Sequence, residues 1–197
     1  MFTSNQNTLI QRYLDILYQK LPKHNDNQNR QIIADTYGEV LAPEINKLIT
    51  HFNFCQDDTF LDLGSGNGRI TAYIFLSTKI KAAYGIELQP SLYQQAHMLA
   101  IQIKKDFSGL LAQRQIQFYQ GNFLSTSFCN ANSLFINSTC FHPSLLSKLT
   151  KLINENQQIH TILSLRPLPK LTLPFKKIFN LECSWDTARC HVYSNIK

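Results

Sequence analysis

The sequence predicts an α/β fold built on a doubly wound, mostly parallel sheet of seven strands. Three observations predict it. Short apolar runs alternate with stretches of helical period along most of the 197 residues. A glycine-rich turn, Gly64-Ser65-Gly66-Asn67-Gly68, joins one apolar run to an apolar helical stretch. Two closely spaced runs near the end read as an antiparallel hairpin.

The elements follow in order. Leu9, Ile10, Tyr13, Leu14, Ile16, Leu17 and Leu21 recur at helical spacing and predict a helix over Leu9 to Leu21. The polar stretch Pro22 to Gln31 breaks that pattern and reads as a linker. Residues 1–31 are therefore expected to be a short helical extension, and 32–197 the main domain. A cap on the domain is preferred for that helix over a partner-binding role. Pro43 suits the first turn of a helix running to Phe52. Phe60 to Leu63 is the first strand, followed by a helix from Arg69 to Ser77. Ala82 to Glu87 is the second strand, with a helix over Ser91 to Phe107. Ile116 to Tyr119 and Ser133 to Asn137 are the third and fourth, the latter followed by a helix from Pro143 to Asn154. Thr161 to Leu165 is the fifth. Ile178 to Trp185 and Arg189 to Tyr193 form the hairpin.

An apolar fraction of 44% supports one domain with a sizeable core. No apolar run is long enough to cross a bilayer, and Met1 to Asn7 lacks the basic start of a secretory signal. Cys55, Cys129, Cys140, Cys183 and Cys190 include no C-x-x-C pair. They read as ordinary thiols of a reducing compartment, not as zinc ligands or a disulfide framework. A cytoplasmic location is expected, with export to another compartment or cell left open. The net charge of +6 suits an acidic partner such as nucleic acid or a nucleosome. The basic residues are nevertheless scattered, the densest pairs being Lys104-Lys105 and Lys176-Lys177, and no basic tail forms a DNA-binding arm.

Chemistry concentrates at the glycine turn. Asp62 precedes it, and Glu87 closes the next strand 23 residues after Gly64. Doubly wound folds place a ribose-binding carboxylate at about that distance. A ligand-free strand-to-helix turn needs only one or two glycines. The spacing G-x-G-x-G differs from the dinucleotide fingerprint, which argues against NAD. Ligands of such sheets bind beyond the carboxyl ends of the strands. Gly64, Glu87, Asn122 with Phe123, and Asn137 all fall on that rim. The ensemble resembles the S-adenosylmethionine site of class I methyltransferases.

Several further segments resemble one family, the histone-lysine methyltransferases that lack a SET domain and are named for disruption of telomeric silencing. Tyr37-Gly38-Glu39 resembles the family's loop over the cofactor, Asp62 to Gly68 its first cofactor motif, and Gly85-Ile86-Glu87 its ribose-binding acid. Gly121-Asn122-Phe123-Leu124-Ser125 resembles its adenine-holding G-D-F-L-S motif. Phe135-Ile136-Asn137-Ser138-Thr139-Cys140-Phe141-His142-Pro143 resembles F-V-N-N-F-x-F-x-P at the catalytic rim, and Ser184-Trp185 the S-W pair near the acceptor channel. The similarity covers residues 36–195. Asn122 departs from the family Asp, Ser138 from the second Asn, and Thr139 from an aromatic. The last two changes bear on the acceptor side. The long basic extension of some members is not found in this sequence.

The resemblance implies a cofactor set of Tyr37, Glu39, Asp62, Gly64, Ser65, Gly66, Gly68, Glu87, Asn122, Phe123 and Asn137, and a catalytic rim of Asn137, Phe141 and Trp185, with no metal. Each has a plainer alternative. Glu87 reads otherwise as a surface acid, Phe123 as core, Asn137 as a turn cap and Trp185 as packing. Tyr37 and Glu39 are open between cofactor contact and helix start. Phe141, Trp185 and Tyr193 are apolar walls of the kind that keeps a lysine neutral. His142 and His191 read as structural. The expected activity is S-adenosylmethionine-dependent methyl transfer to a protein lysine. The alternatives are an RNA or small-molecule methyltransferase and a catalytically silent cofactor-binding module.

Overall fold

The computed structural model describes residues 4–21, 40–111 and 113–196. The expected linker, Pro22 to Gln31, lies outside them. Helices α1 (Ser4–Lys20), α2 (Ala42–Phe52), α3 (Arg69–Ser77), α4 (Pro90–Asp106), α5 (Ser108–Leu111) and α6 (Pro143–Asn154) surround seven strands. The strands are β1 (Thr59–Leu63), β2 (Ala82–Glu87), β3 (Gln115–Gln120), β4 (Ser133–Ile136), β5 (Thr161–Ser164), β6 (Phe175–Glu182) and β7 (Thr187–Ser194). They form one sheet in the order β3-β2-β1-β4-β5-β7-β6. The expected α/β class and seven strands hold.

β1 pairs in parallel with β2 on one side and β4 on the other. The chain winds outward through β2 and β3, then returns to the far side of β1 as β4. That reversal makes a crevice beyond the carboxyl ends of β1 and β4, where doubly wound sheets bind ligands. β4 and β5 are buried along their whole length, as strands covered on both faces must be. The hairpin turns back differently from a simple edge addition. β7 runs antiparallel between β5 and β6, which leaves β6 at the edge.

The two faces are covered unequally. Leu14 and Leu17 of α1, Ile45 and Leu48 of α2, Phe75 of α3, and Leu99 and Ile103 of α4 pack on one side against Phe60, Ala83, Ile116, Phe135 and Leu163. On the other side α6 supplies Leu146, Leu149 and Ile153 against Leu61, Leu63, Leu134, Ile136 and Ile162. Loop residues Phe128 and Leu168 complete that face. Helix α1 is thus built into the core, as the cap reading expects. Among the described residues no helix is long and apolar enough to cross a membrane.

Asp58 fastens the amino ends of the strands. It is 6% exposed and accepts bonds from the Cys55 N–H at 2.7 Å and Asn132 Nδ2 at 3.0 Å, with His160 Nε2 at 3.3 Å. Burial raises its pKa, but His160, the Cys55 N–H and Asn132 together hold it below the ordinary value.

Candidate functional site

The glycine turn is fixed by its neighbour strand. The N–H groups of Gly64 and Ser65 both donate to the Ile86 carbonyl, at 2.9 and 3.1 Å, and Gly68 N–H donates to the Ser65 carbonyl at 2.9 Å. The chain therefore folds back over the end of β2 before α3 begins. Gly68 caps α3 with φ 84°, a left-handed conformation that favours glycine. A Cβ there would also meet the Phe118 ring at 2.5 Å. Gly85, under the turn, is needed for space alone. A Cβ on it would lie 2.5 Å from both Phe118 and Ser65 Oγ. Gly85→Ala is expected to overpack this junction and cost about 1–3 kcal/mol, read as a lower denaturation midpoint at unchanged slope.

Glu87 ends β2 under the same turn and is 7% exposed. Its Oε2 accepts the Gly66 N–H at 2.8 Å and its Oε1 accepts the Gln89 N–H at 2.8 Å. Each carboxylate oxygen has two acceptor directions, so among the described residues each keeps one open for a ligand hydroxyl. Two adjacent hydroxyls, as on a ribose, match that pair. Glu87 is therefore not a loose surface acid.

Asp62 lies deeper, 1% exposed. Its Oδ2 accepts from Thr71 Oγ1 at 3.2 Å, whereas Oδ1 is buried with no hydrogen bond among the described residues. Burial pushes its pKa up to about 7; the Thr71 bond opposes this and the Glu87 charge adds to it. Ser65 also keeps a buried hydroxyl without a partner among the described residues. It is turned onto Gly85, so Ser65 offers the turn its backbone more than its side chain.

The other side of the crevice comes from the segments after β3 and β4. Asn122 is exposed, and its Oδ1 accepts the Leu124 N–H at 2.9 Å. Its carbonyl accepts from Ser125 and Thr126, so this residue shapes the turn. Phe123 stacks on Phe141, with ring centroids 5.4 Å apart and planes at 29°. Phe141 in turn reaches the glycine turn, 3.6 Å from where a Gly64 Cβ would sit. One face of Phe123 is thus covered by Phe141.

Asn137 follows β4 on the rim, half-buried, and its Oδ1 accepts from Thr139 Oγ1 at 3.0 Å. Thr139, where the family pattern has an aromatic, orients the Asn137 amide. Ser138 is fully buried, 3.0 Å from Ser164 Oγ and accepting the Arg166 N–H at 2.9 Å. It seams β4 to β5. The expectation that Ser138 bears on the acceptor side is corrected: a short hydroxyl fits this interior seam.

The structure brings Asp62, the three glycines, Glu87, Asn122, Phe123, Asn137 and Phe141 to one crevice. Trp185 stands apart, 42% exposed in the β6–β7 turn. That turn projects beyond the carboxyl end of β5, because β5 ends opposite His191 and β7 begins four residues earlier. The preceding chain meets it there: Val40 bridges Cys183, and the Leu41 N–H bonds the Glu182 carbonyl at 3.1 Å. Tyr193 is not an acceptor wall. It pairs with Ile162, 7% exposed, and its hydroxyl accepts the Leu168 N–H in the core. His142 caps α6, accepting the Ser144 N–H, and His191 faces the Ser164 carbonyl. Tyr37 and Glu39 lie outside the described residues.

Two residues that sequence reasoning missed also touch the turn. Tyr18 donates to the Asn67 carbonyl at 3.2 Å, and Arg69 pairs with Asp15 at 3.1 Å. Neither carries a local signal, since the partners are 49 and 54 residues apart.

A parallel sheet with one reversed strand inserted beside its edge, and a glycine turn at its switch point, is the class I methyltransferase fold. A solved RNA methyltransferase from Salinibacter ruber shares it, with a TM-score of 0.57 over 79% of this chain and 93% of that one, at 20% identity. The chain belongs to the family described as histone methylation protein DOT1, whose model matches residues 20–191. A Caenorhabditis elegans histone-lysine N-methyltransferase, H3 lysine-79 specific, is 29% identical over 68% of the chain. Its Drosophila melanogaster counterpart is 24% identical over 70%. The chain spans only 15% and 8% of the length of these two relatives.

Proposed function

We propose that this protein transfers a methyl group from S-adenosylmethionine to the side-chain amine of a lysine in a protein. The observation that carries the cofactor half is Glu87: a nearly buried carboxylate, held by two backbone N–H groups, with one acceptor direction left on each oxygen. The Asp62 Oδ1 below the turn, without a hydrogen bond among the described residues, supports a cationic ligand. Family membership and the two H3 lysine-79 specific relatives support the lysine half.

The cofactor supplies an electrophilic sulfonium methyl. The chain's task is alignment and exclusion of water rather than acid–base relay. The glycine turn, bare of side chains at three positions, lets a ligand lie close to the backbone at the start of α3. Glu87 takes the ribose hydroxyls. Phe123 and Phe141 form an apolar wall beside Asn122, suited to a purine. Asn137, its amide oriented by Thr139, holds the rim where the acceptor amine approaches. A lysine must lose its proton to attack, and apolar surroundings favour the neutral amine. Phe141 supplies such a surface at the crevice.

The test is transfer of labelled methyl from S-adenosylmethionine to nucleosomes, free histones, whole-cell protein extract and total RNA. Gly66→Arg is the blank, since Gly66 is buried at φ 56°. Label on a protein band, mapped to lysine and absent with the blank, is the expected result. Label confined to RNA would replace the lysine reading with RNA methylation. Cofactor binding without label anywhere would favour a silent module.

A further inference from the structure

We propose that helix α1 is a working part of the cofactor site, with Tyr18 and the Asp15–Arg69 ion pair as positioning residues for the glycine turn. This rests on the cofactor reading above. All of α1 but its last residue precedes the family-matched segment.

α1 is anchored in two places. At one, Leu14 is fully buried, and Tyr13 donates to Asp106 Oδ2 at 2.8 Å while its ring meets Phe107 edge-on at 5.1 Å. This fixes α1 against the end of α4. The other anchor is the turn itself. The Tyr18 hydroxyl donates to the Asn67 carbonyl at 3.2 Å. The Arg69 guanidinium lies 4.5 Å from the centroid of the Tyr18 ring and reaches Asp15 Oδ1 at 3.1 Å. Asp15 Oδ1 is held in turn by Gln11 Nε2 at 2.8 Å.

These contacts fall on the peptides of the glycine turn. The 67–68 peptide is planar, so fixing the Asn67 carbonyl orients the Gly68 N–H, which bonds the Ser65 carbonyl. Asn67 Oδ1 also accepts the Arg69 N–H at 3.2 Å. One residue earlier, the Gly66 N–H holds Glu87. Arg69 sits in the first turn of α3, where a cation opposes the helix dipole. The Asp15 carboxylate offsets that repulsion. α1 thus holds in place a turn that would otherwise have to be ordered by the ligand, and such preorganisation raises affinity.

The experiment measures S-adenosylhomocysteine binding by calorimetry, and thermal unfolding, for the wild-type 197-residue chain, Tyr18→Phe and Tyr13→Phe. Phenylalanine keeps the ring under Arg69 and removes only the hydroxyl. Tyr18→Phe is expected to weaken binding about threefold or more, within the worth of one hydrogen bond, the remainder of that worth showing as a small drop in the unfolding midpoint. Tyr13→Phe removes a hydroxyl bond of the same helix away from the turn and should weaken binding clearly less than Tyr18→Phe. Wild-type affinity in Tyr18→Phe would overturn the proposal, as would equal weakening by both variants. Wild-type protein that fails to bind overturns the cofactor reading itself, which separates the two failures.

Discussion

Glu87→Ala should weaken S-adenosylhomocysteine on the order of a hundredfold, the loss of two hydrogen bonds to a charged acceptor. The carboxylate does two jobs. It presents open acceptor directions to the ligand, and it ties the Gly66 N–H to the Gln89 N–H across the crevice floor. Alanine removes both and leaves two N–H groups without their acceptor, so some stability is lost as well. Glu87→Gln impairs both jobs while keeping the side chain's volume. The amide keeps one oxygen as acceptor but turns the other position into a donor, which repels the Gln89 or Gly66 N–H and meets the ribose with the wrong sign. Calorimetry on both variants is the check. An affinity within threefold of wild type for Glu87→Ala would place the ribose elsewhere. Similar affinity for both variants would mean that the charge, not the geometry, matters.

Much of this site was legible because its parts are local in sequence. The strand, turn and helix from Thr59 to Ser77 are contiguous, and Glu87 closes the neighbouring strand. Glycine at 64, 66 and 68 announces backbone that other residues resist. The central strands announce themselves as short, mostly apolar runs. What could not be read depends on partners far away. The role of Ser138 is set by Ser164, 26 residues on, and without that neighbour a serine beside Asn137 looks like part of the catalytic rim. The part played by α1 is similarly hidden, since an amphipathic helix shows which face it buries but not against what.

The hairpin was placed three residues late at its start for a different reason. Phe175-Lys176-Lys177 lacks alternation, and the pairing with β7 shifts between Phe175 and Lys177. β6 is also an edge strand exposed over most of its length, where burial does not impose a pattern. Trp185 consequently falls in the turn instead of the strand. The single-turn helix α5 is too short to show a period.

Asp62→Asn should raise stability and weaken cofactor binding together. The pKa of Asp62 stands near 7, against 3.8 for the free side chain. The folded protein therefore holds a proton that the unfolded chain has lost across the window between those values. Stability falls as pH rises through that window, and above about pH 7 the full penalty of a buried charge is present. Asparagine carries no such penalty and still offers an oxygen to Thr71. At pH 8 the variant is expected to gain about 3 kcal/mol, since each pKa unit is worth about 1.4 kcal/mol and some is lost in imperfect repacking. The gain should vanish near pH 4. Binding moves the other way, because the sulfonium and ammonium of S-adenosylmethionine favour the ionised carboxylate. Asp62→Asn should weaken S-adenosylmethionine about tenfold at pH 8, and S-adenosylhomocysteine, which lacks the sulfonium charge, by less. Thermal unfolding from pH 4 to 8 and calorimetry with both ligands test the pair of signs. A midpoint at pH 8 that drops would show that ionised Asp62 supports the fold. A midpoint that rises with cofactor affinity unchanged would leave Asp62 outside the binding set.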